Sequence, residues 1–140
     1  MIQMKTIAII FLFLIALGAF AQKETYEFVT YNAPTGWKKE VKPNTYTSYT
    51  TTNSQNNSYC QIFIMLSTNS KGGIDQDFES EWQSLIVKNY GVTDAPNMTE
   101  PTSDNGWTAK GGVATFTFDK AKSIAMLTTM SGYSKAVSIY

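Results

Sequence analysis

The alternation of apolar and polar positions along the chain first indicates β-strands. The segments Tyr26–Tyr31, Thr45–Thr52 and Tyr59–Leu66 are rich in β-branched and aromatic residues, and residues that favour turns separate them. In Tyr59–Leu66 both alternating faces are apolar, which is typical of a strand in the middle of a sheet that is covered on both sides. We therefore predict three strands in this half of the chain, and we expect the third to be central.

The apolar spacing changes to a helical period after Gly73. One stripe of large apolar side chains recurs mostly at intervals of three and four residues, at Ile74, Phe78, Trp82, Leu85, Ile86 and Tyr90. Asp77 and Glu79 fall in the first turn, where a carboxylate interacts favourably with the helix dipole, and Gly91 stands at the C-terminal cap position. The pattern predicts one amphipathic helix over about residues 75–90.

Three further strands are predicted after the helix, at Trp107–Phe118, Ser123–Met130 and Lys135–Tyr140. Gly111-Gly112 interrupts the first of them and predicts a bulge or a second turn. The order β-β-β-α-β-β-β predicts an α+β fold, in which an antiparallel sheet of about six strands carries the helix on at least one face. The doubly apolar strand also needs cover on its second face, and a C-terminal helix missing from a truncated chain would supply it.

The N-terminus has the three parts of a secretory signal peptide. Lys5 precedes an apolar run from Ile7 to Leu17, and small residues lead up to Ala21. A membrane anchor is the alternative, but this run is shorter than the roughly 20 residues that cross about 30 Å of hydrocarbon. We predict a signal peptide over residues 1–21, cleavage after Ala21, and a single domain over residues 22–140 that is secreted or periplasmic and has no transmembrane segment.

Composition removes several classes of function. The chain has eleven basic and eleven acidic residues and no histidine, and every basic residue is a lysine. A nucleic-acid ligand is therefore not expected, and neither bidentate arginine recognition nor histidine proton transfer is available. Cys60 is the one cysteine, and we predict that it is a small buried residue in its apolar strand. We find no catalytic constellation, no metal site and no cofactor motif, so we predict a protein that is not an enzyme.

Aromatic residues supply the positive indication of function. Trp37, Trp107, Tyr49 and Tyr133 lie at predicted turns or in a threonine-rich strand, where rings beside hydroxyl and amide groups can stack on a small ligand, a glycan or a peptide. We take these four as candidate ligand-binding residues. The competing interpretation is that they fill the core, because the chain after the leader has few aliphatic residues.

The segment Tyr26–Trp37, an aromatic strand followed by Ala-Pro-Thr-Gly-Trp, resembles the opening of the Mog1/PsbP-like group. The resemblance extends to the single helix with Phe78 and Trp82 and to the later strands. It implies an antiparallel sheet between helices and a role as a non-enzymatic binding or assembly factor. No binding residue is carried over from the group. The chain is also similar to small secreted bacterial proteins of unknown function.

Three functions are compatible with these sequence features. The first is an exported binding module for a ligand or partner, and a clustered, exposed set of Trp107, Tyr49 and Tyr133 would favour it. The second is a component that assembles in the cell envelope, which an exposed apolar patch or an unpaired sheet edge would favour. The third is a histidine-independent hydrolase, which two carboxylates facing each other across a cleft, roughly 5 to 9 Å apart, would favour.

Overall fold

A computed structural model describes residues 23–140 of the chain. The predicted signal peptide and its cleavage site after Ala21 lie outside the described residues. The described chain is mostly antiparallel sheet with one helix, which confirms the α+β prediction.

The predicted number of about six strands was too small, because residues 23–140 form eleven. They are β1 (Lys23–Tyr26), β2 (Val29–Asn32), β3 (Lys38–Lys42), β4 (Tyr46–Asn53), β5 (Ser58–Met65), β6 (Thr68–Asn69), β7 (Asn97–Met98), β8 (Thr102–Asp104), β9 (Trp107–Phe118), β10 (Ala121–Gly132) and β11 (Lys135–Ile139). The main sheet has the strand order β3-β4-β5-β11-β10-β9-β7, with β6 paired to β11 and β8 paired to β9. Several of the extra strands have only two or three residues, too few to show a period in the sequence.

The predicted strand Tyr26–Tyr31 is instead interrupted by a turn at Glu27 and Phe28, which connects β1 to β2. β1 and β2 pair with each other in a separate two-stranded sheet, with Tyr26 opposite Val29. Glu27 has the left-handed φ of 50° that this tight reversal requires, and its carboxylate accepts a 2.6 Å hydrogen bond from the Ser67 backbone N–H. A non-glycine residue in this conformation gives no signal in a β-rich sequence, so the hairpin was not predicted.

The predicted helix is confirmed and extends from Ile74 to Tyr90. It consists of an α-helix (Ile74–Glu81), a π-helical segment (Trp82–Val87) and a last α-helical turn (Lys88–Tyr90). Gly91 ends it with a left-handed φ of 67°. The buried core lies between the helix and the sheet and is formed by Phe78, Trp82, Ile86, Val92, Ala114, Ala125 and Leu127.

Gly112 marks the closest approach of helix and sheet. A Cβ atom on Gly112 would lie 2.6 Å from the Phe78 ring and 3.1 Å from Pro96, so only glycine leaves room for the Phe78 ring. β9 passes through Gly111 and Gly112 with an unbroken register, Gly111 opposite Thr128 and Gly112 opposite Leu127. The predicted bulge or turn was therefore wrong, because the glycine pair serves packing rather than a change of chain direction.

The strand registers separate two faces of the main sheet, because paired residues point the same way. We call the face that carries Gly112 and Leu127 the helix face. The other, which carries Tyr49, Ile64 and Thr128, is the hairpin face, since the β1–β2 hairpin packs on it. The hairpin covers only part of this face.

Cys60 is exposed, so the prediction of a buried cysteine was wrong. Cys60 lies in the first half of β5, where Ser58 to Gln61 are all exposed, whereas Ile64 in the second half is 3% exposed. β11 pairs with β5 only at Ile139 opposite Ile64. The apolar pattern of β5 did not predict that the first half of the strand is exposed.

Candidate functional site

Two of the four predicted ligand-binding residues come together at one end of the sheet. The Trp107 ring lies 5.7 Å from that of Tyr133 and 5.8 Å from that of Phe28, measured between centroids. Tyr133 is 72% exposed and Phe28 is 59% exposed, while Trp107 is half-buried between them. We call Phe28, Trp107 and Tyr133 the ring cluster. Phe28 was not among the predicted site residues, because its place depends on the β1–β2 turn.

Two tight turns hold the ring cluster. Asn105 and Gly106, with φ of 48° and 80°, connect β8 to β9, and Tyr133 and Ser134, with φ of 52° and 60°, connect β10 to β11. Two left-handed residues in succession make the type I′ turns that match the twist of paired strands. The Tyr133 hydroxyl donates a 3.0 Å hydrogen bond to the Asn105 carbonyl, which ties one turn to the other.

Gly132 brings the two turns into direct contact. A Cβ atom on Gly132 would lie 2.6 Å from the Gly106 carbonyl oxygen and 2.8 Å from the Trp107 ring, so the backbone of β10 reaches the indole closely. Trp107 and Tyr133 are therefore attached to two turns that contact each other, and Phe28 reaches Trp107 from the β1–β2 turn. A preformed aromatic surface of this kind loses little conformational entropy when it binds.

Polar groups lie beside the ring cluster on the same turns. The Asn105 side-chain amide donates a 3.0 Å hydrogen bond to the Asp104 carboxylate, and the Ser103 and Thr108 hydroxyls lie 2.9 Å apart. Ser103, Asp104 and Asn105 are exposed, and Thr108 in β9 is half-buried. The site thus combines apolar ring surface with hydroxyl, amide and carboxylate groups.

The structure places Tyr49 away from the ring cluster. Tyr49 is 2% exposed, and its hydroxyl donates a 2.8 Å hydrogen bond to the Glu24 carboxylate, which also forms a 2.5 Å ion pair with Lys39. The Tyr31 hydroxyl lies 3.1 Å from that of Tyr49. Tyr49 therefore attaches the β1–β2 hairpin to the sheet instead of meeting solvent.

The pKa shifts around Tyr49 agree with this attachment. The Lys39 ammonium and the Tyr49 hydroxyl lower the pKa of Glu24 below its ordinary value. Burial raises the pKa of Tyr49 and that of Tyr31, so both hydroxyls keep their protons. The Glu24 carboxylate, the Lys39 ammonium and the two neutral tyrosine hydroxyls form a network that holds the β1–β2 hairpin on β3 and β4.

Trp37 does not join the ring cluster either. It is half-buried just before β3, and within residues 23–140 its ring is not paired with another aromatic ring. Of the four predicted residues, the structure brings together Trp107 and Tyr133 and leaves Tyr49 and Trp37 elsewhere.

The acidic residues of the helix point to structure rather than to a reaction centre. Asp77 is 1% exposed and accepts hydrogen bonds from the Ser70 hydroxyl at 2.7 Å, from the Lys71 backbone N–H at 2.5 Å and from the Ser131 hydroxyl. Burial raises the pKa of Glu81, one helical turn later. The hydrogen bonds of the Asp77 carboxylate therefore join the helix to the loop before it and to β10. Among the described residues no group of three or more Cys, Asp or Glu could hold a metal ion.

The grooves on the surface lie apart from the ring cluster. Two open grooves, of about 450 and 700 Å³, share Thr93 and Asp94 in the connection that follows the helix. Trp82 lines the first and Phe116 the second. Both grooves are open to solvent.

An uncovered apolar surface lies on the hairpin face of β10. Ile124 is 67% exposed and Met126 is 63% exposed, although the intervening Ala125 is 7% exposed because it faces the helix. The spacing of Ile124 and Met126 in the sequence shows that they share one face of a strand. It does not show which of the two faces of that strand is covered. The pairing of Ala125 with Ala114 under the helix determines which set is left exposed.

No helix among residues 23–140 is long and apolar enough to span a membrane. Comparison of the chain with protein-family models, with curated proteins and with solved structures gave no match.

Proposed function

We propose that this protein is an exported, non-catalytic binding module whose ligand stacks on the ring cluster. The observation that carries the proposal is the exposure of Tyr133 and Phe28, which both contact the Trp107 ring, with the Tyr133 turn hydrogen-bonded to the Asn105 turn that precedes Trp107. Large rings left in water at a rigid position favour contact with a second molecule.

A carbohydrate is the ligand class that suits this site best. The C–H face of a sugar ring packs on an aromatic ring, and its hydroxyls need donors and acceptors at the rim. Asp104 and Asn105 offer a carboxylate and an amide, already hydrogen-bonded to each other, beside the ring of Tyr133. The neutral formal charge of the chain favours an uncharged glycan over a polyanion.

The proposal is tested by measuring retention of the purified protein on insoluble polysaccharides and on a glycan array. Tyr133→Ala should reduce affinity for the retained glycan about tenfold or more, because it removes the most exposed ring of the cluster. Tyr59→Ala is the matched control, since Tyr59 is 58% exposed but lies on β5, outside the cluster. The proposal is contradicted if Tyr133→Ala and Tyr59→Ala weaken binding equally. It is also contradicted if the protein binds no glycan.

A role in envelope assembly is the second candidate. The exposed apolar side chains of Ile124 and Met126 favour it, because they lie side by side in one strand and form a surface on which another chain can pack. This surface is separate from the ring cluster, so one protein can have both functions.

A further inference from the structure

Apart from the chain that leads into β3, the β1–β2 hairpin is attached to the main sheet through side chains. Its two strands pair only with each other, and within residues 23–140 no backbone-to-backbone hydrogen bond joins them to the main sheet. A two-stranded hairpin by itself is at best marginally stable in water. The hairpin therefore depends on the contacts that its side chains make with the sheet beneath it.

The first attachment lies at the open end of the hairpin. The Glu24 carboxylate accepts hydrogen bonds from the Tyr49 hydroxyl at 2.8 Å and from the Tyr31 hydroxyl at 3.1 Å. It also forms the 2.5 Å ion pair with Lys39, and because the two side chains are 25% and 41% exposed, solvent screens this pair. Removal of this one carboxylate takes the acceptor from all three groups.

The second attachment lies at the turn of the hairpin. The Glu27 carboxylate accepts its hydrogen bond from the Ser67 backbone N–H, and the next residue, Phe28, packs against the Trp107 ring. Phe28 belongs to the hairpin, whereas Trp107 and Tyr133 belong to turns between strands of the main sheet. The ring cluster is therefore complete only while the turn of the hairpin stays in place.

A buried hydroxyl opposes the docking of the hairpin. Tyr26 lies on the face of the hairpin that carries Glu24 and rests on the sheet. The Tyr26 hydroxyl is buried there and has no hydrogen-bond partner among the described residues. Water would hydrogen-bond the same hydroxyl if the hairpin lifted, so its burial disfavours the docked arrangement.

The connection from β2 to β3 can serve as a hinge. It consists of residues 33–37, which belong to no strand, and Gly36 has a left-handed φ of 80°. Apart from its two chain neighbours, no described atom lies within 4 Å of the place where a Cβ on Gly36 would be. A few loop residues of this kind are enough to absorb the change in φ and ψ when an element moves.

We propose that the β1–β2 hairpin is a strap that docks on the main sheet and lifts from it as a unit, and that it regulates the ring cluster because it supplies Phe28 only when docked. Trp107 and Tyr133 stay on their turns in both states. A ligand that contacts Phe28 as well as Trp107 binds the docked state more tightly and so favours it. This regulatory role rests on the proposed binding function, whereas the movement of the strap does not.

Hydrogen exchange of backbone amides in the purified protein, without ligand, measures how the strap lifts. The Val29 amide lies opposite Tyr26 in the strap, and the Leu127 amide lies in β10 beside the core. Lifting exposes little surface, so Val29 exchange should rise by about twofold or less per molar urea below the unfolding midpoint. Leu127 exchange, which needs the main sheet to unfold, should rise about fivefold or more per molar urea.

Two substitutions should change the lifting in opposite directions. Glu24→Ala removes the acceptor at the open end and should speed Val29 exchange about threefold or more. Tyr26→Phe removes the buried hydroxyl and should slow Val29 exchange about threefold or more. Glu40→Ala is the matched control, because Glu40 is a glutamate of the neighbouring β3 whose carboxylate accepts a hydrogen bond from Tyr46 instead.

Fluorine NMR of the protein labelled with 5-fluorotryptophan tests whether the strap supplies Phe28. The chain has three tryptophans, and Trp107→Phe identifies the signal of Trp107. Phe28→Ala gives the position of that signal without the Phe28 ring. The double variant Glu24→Ala/Glu27→Ala should move the Trp107 signal toward that position and leave the signal of the buried Trp82 unchanged, which also shows that the variant is folded.

Three results would overturn the movement of the strap. One is Val29 exchange that rises with urea as steeply as Leu127 exchange, since the hairpin would then leave the sheet only when the chain unfolds. Another is equal acceleration of Val29 exchange by Glu24→Ala and Glu40→Ala. The third is a Trp107 signal that the double variant leaves unchanged.

The regulatory role has its own test. A glycan that the array identifies should slow Val29 exchange about threefold or more at saturation, and an unchanged rate would overturn the role. A protein that binds no glycan but shows the expected urea dependence and fluorine shift has the strap without the proposed binding function.

Discussion

Replacing Asp77 with alanine should destabilise the fold more than any other change in the first turn of the helix. The Asp77 carboxylate is 1% exposed and accepts hydrogen bonds from Ser70, from the backbone N–H of Lys71 and from Ser131 of β10. It therefore connects the helix, the loop before it and the main sheet. Asp77→Ala leaves all three donors without their acceptor.

The cost follows from the number of donors and their burial. A hydrogen bond to a charged group contributes about 1.5 to 3 kcal/mol net, and a buried donor left unsatisfied costs about 1 to 3 kcal/mol. Water that enters the space of the lost carboxylate accepts some of these hydrogen bonds and reduces the loss of free energy. We expect a loss of about 3 to 5 kcal/mol, against a total free energy of unfolding of about 5 to 15 kcal/mol for a domain of this size.

Urea unfolding of the purified protein, followed by tryptophan fluorescence, measures the effect. With a slope of about 1 to 3 kcal/mol per molar urea, Asp77→Ala should lower the midpoint by at least about 1 M. Asp75→Ala is the control, because Asp75 is in the same turn but its side chain is 76% exposed and bonds only the Lys110 ammonium. Asp75→Ala should cost less than about 1 kcal/mol. Equal losses from the two substitutions would refute this account of Asp77.

The same measurement across pH tests the charge on Asp77. Burial raises the pKa of Asp77, but the hydrogen bonds from Ser131, Lys71 and Ser70 outweigh it and hold the pKa below its ordinary value of 3.8. The carboxylate therefore contributes stability that is fully present above pH 3.8 and is lost as the pH falls through the folded-state pKa. The difference between wild type and Asp77→Ala should shrink below pH 3.8.

Two further substitutions test the packing of the helix on the sheet. Burial raises the pKa of Glu81 above its ordinary value of 4.5, so the ionised form of Glu81 opposes folding at neutral pH. Glu81→Gln should therefore raise the urea midpoint at pH 7. Near pH 4 the variant and the wild type should have similar midpoints, because Glu81 is then protonated. A midpoint that does not rise at pH 7 would contradict the shift. Gly112→Ala should lower the free energy of unfolding by about 1 to 3 kcal/mol in the same assay, because its Cβ would lie 2.6 Å from the Phe78 ring. Gly111→Ala should lower it less, because the nearest atom to its Cβ would be 3.3 Å away, at Thr99.

Local patterns predicted the parts of the fold that depend on neighbours in sequence. The stripe that contains Phe78, Trp82 and Ile86 predicted both the helix and the face it buries, and all three side chains are buried. Gly91 was predicted to end the helix and does so. The long strands β9 and β10 contain the segments predicted for them, and β4 contains all of the predicted Thr45–Thr52 except Thr45.

The site could be predicted only in part. Trp107 and Tyr133 stood out as rings at predicted turns, and the structure brings them together. Phe28 was missed, since its neighbours in sequence indicate one continuous strand. Tyr49 looked similar to the other candidates in sequence, but Glu24, 25 residues earlier, buries and bonds it. No local pattern distinguishes an exposed aromatic ring from one that a distant hairpin will cover.

The amino-acid pattern was enough to predict the α+β class, the helix with its buried stripe and the positions of the long strands, because hydrophobic period and turn residues act over a few residues. The exposed face of β10, the burial of Tyr49 under the β1–β2 hairpin and the contact of Phe28 with Trp107 became evident in the folded chain alone. These features depend on strand register and on contacts between distant segments. A shift of one residue in register would exchange the faces of a strand and leave its sequence pattern unchanged.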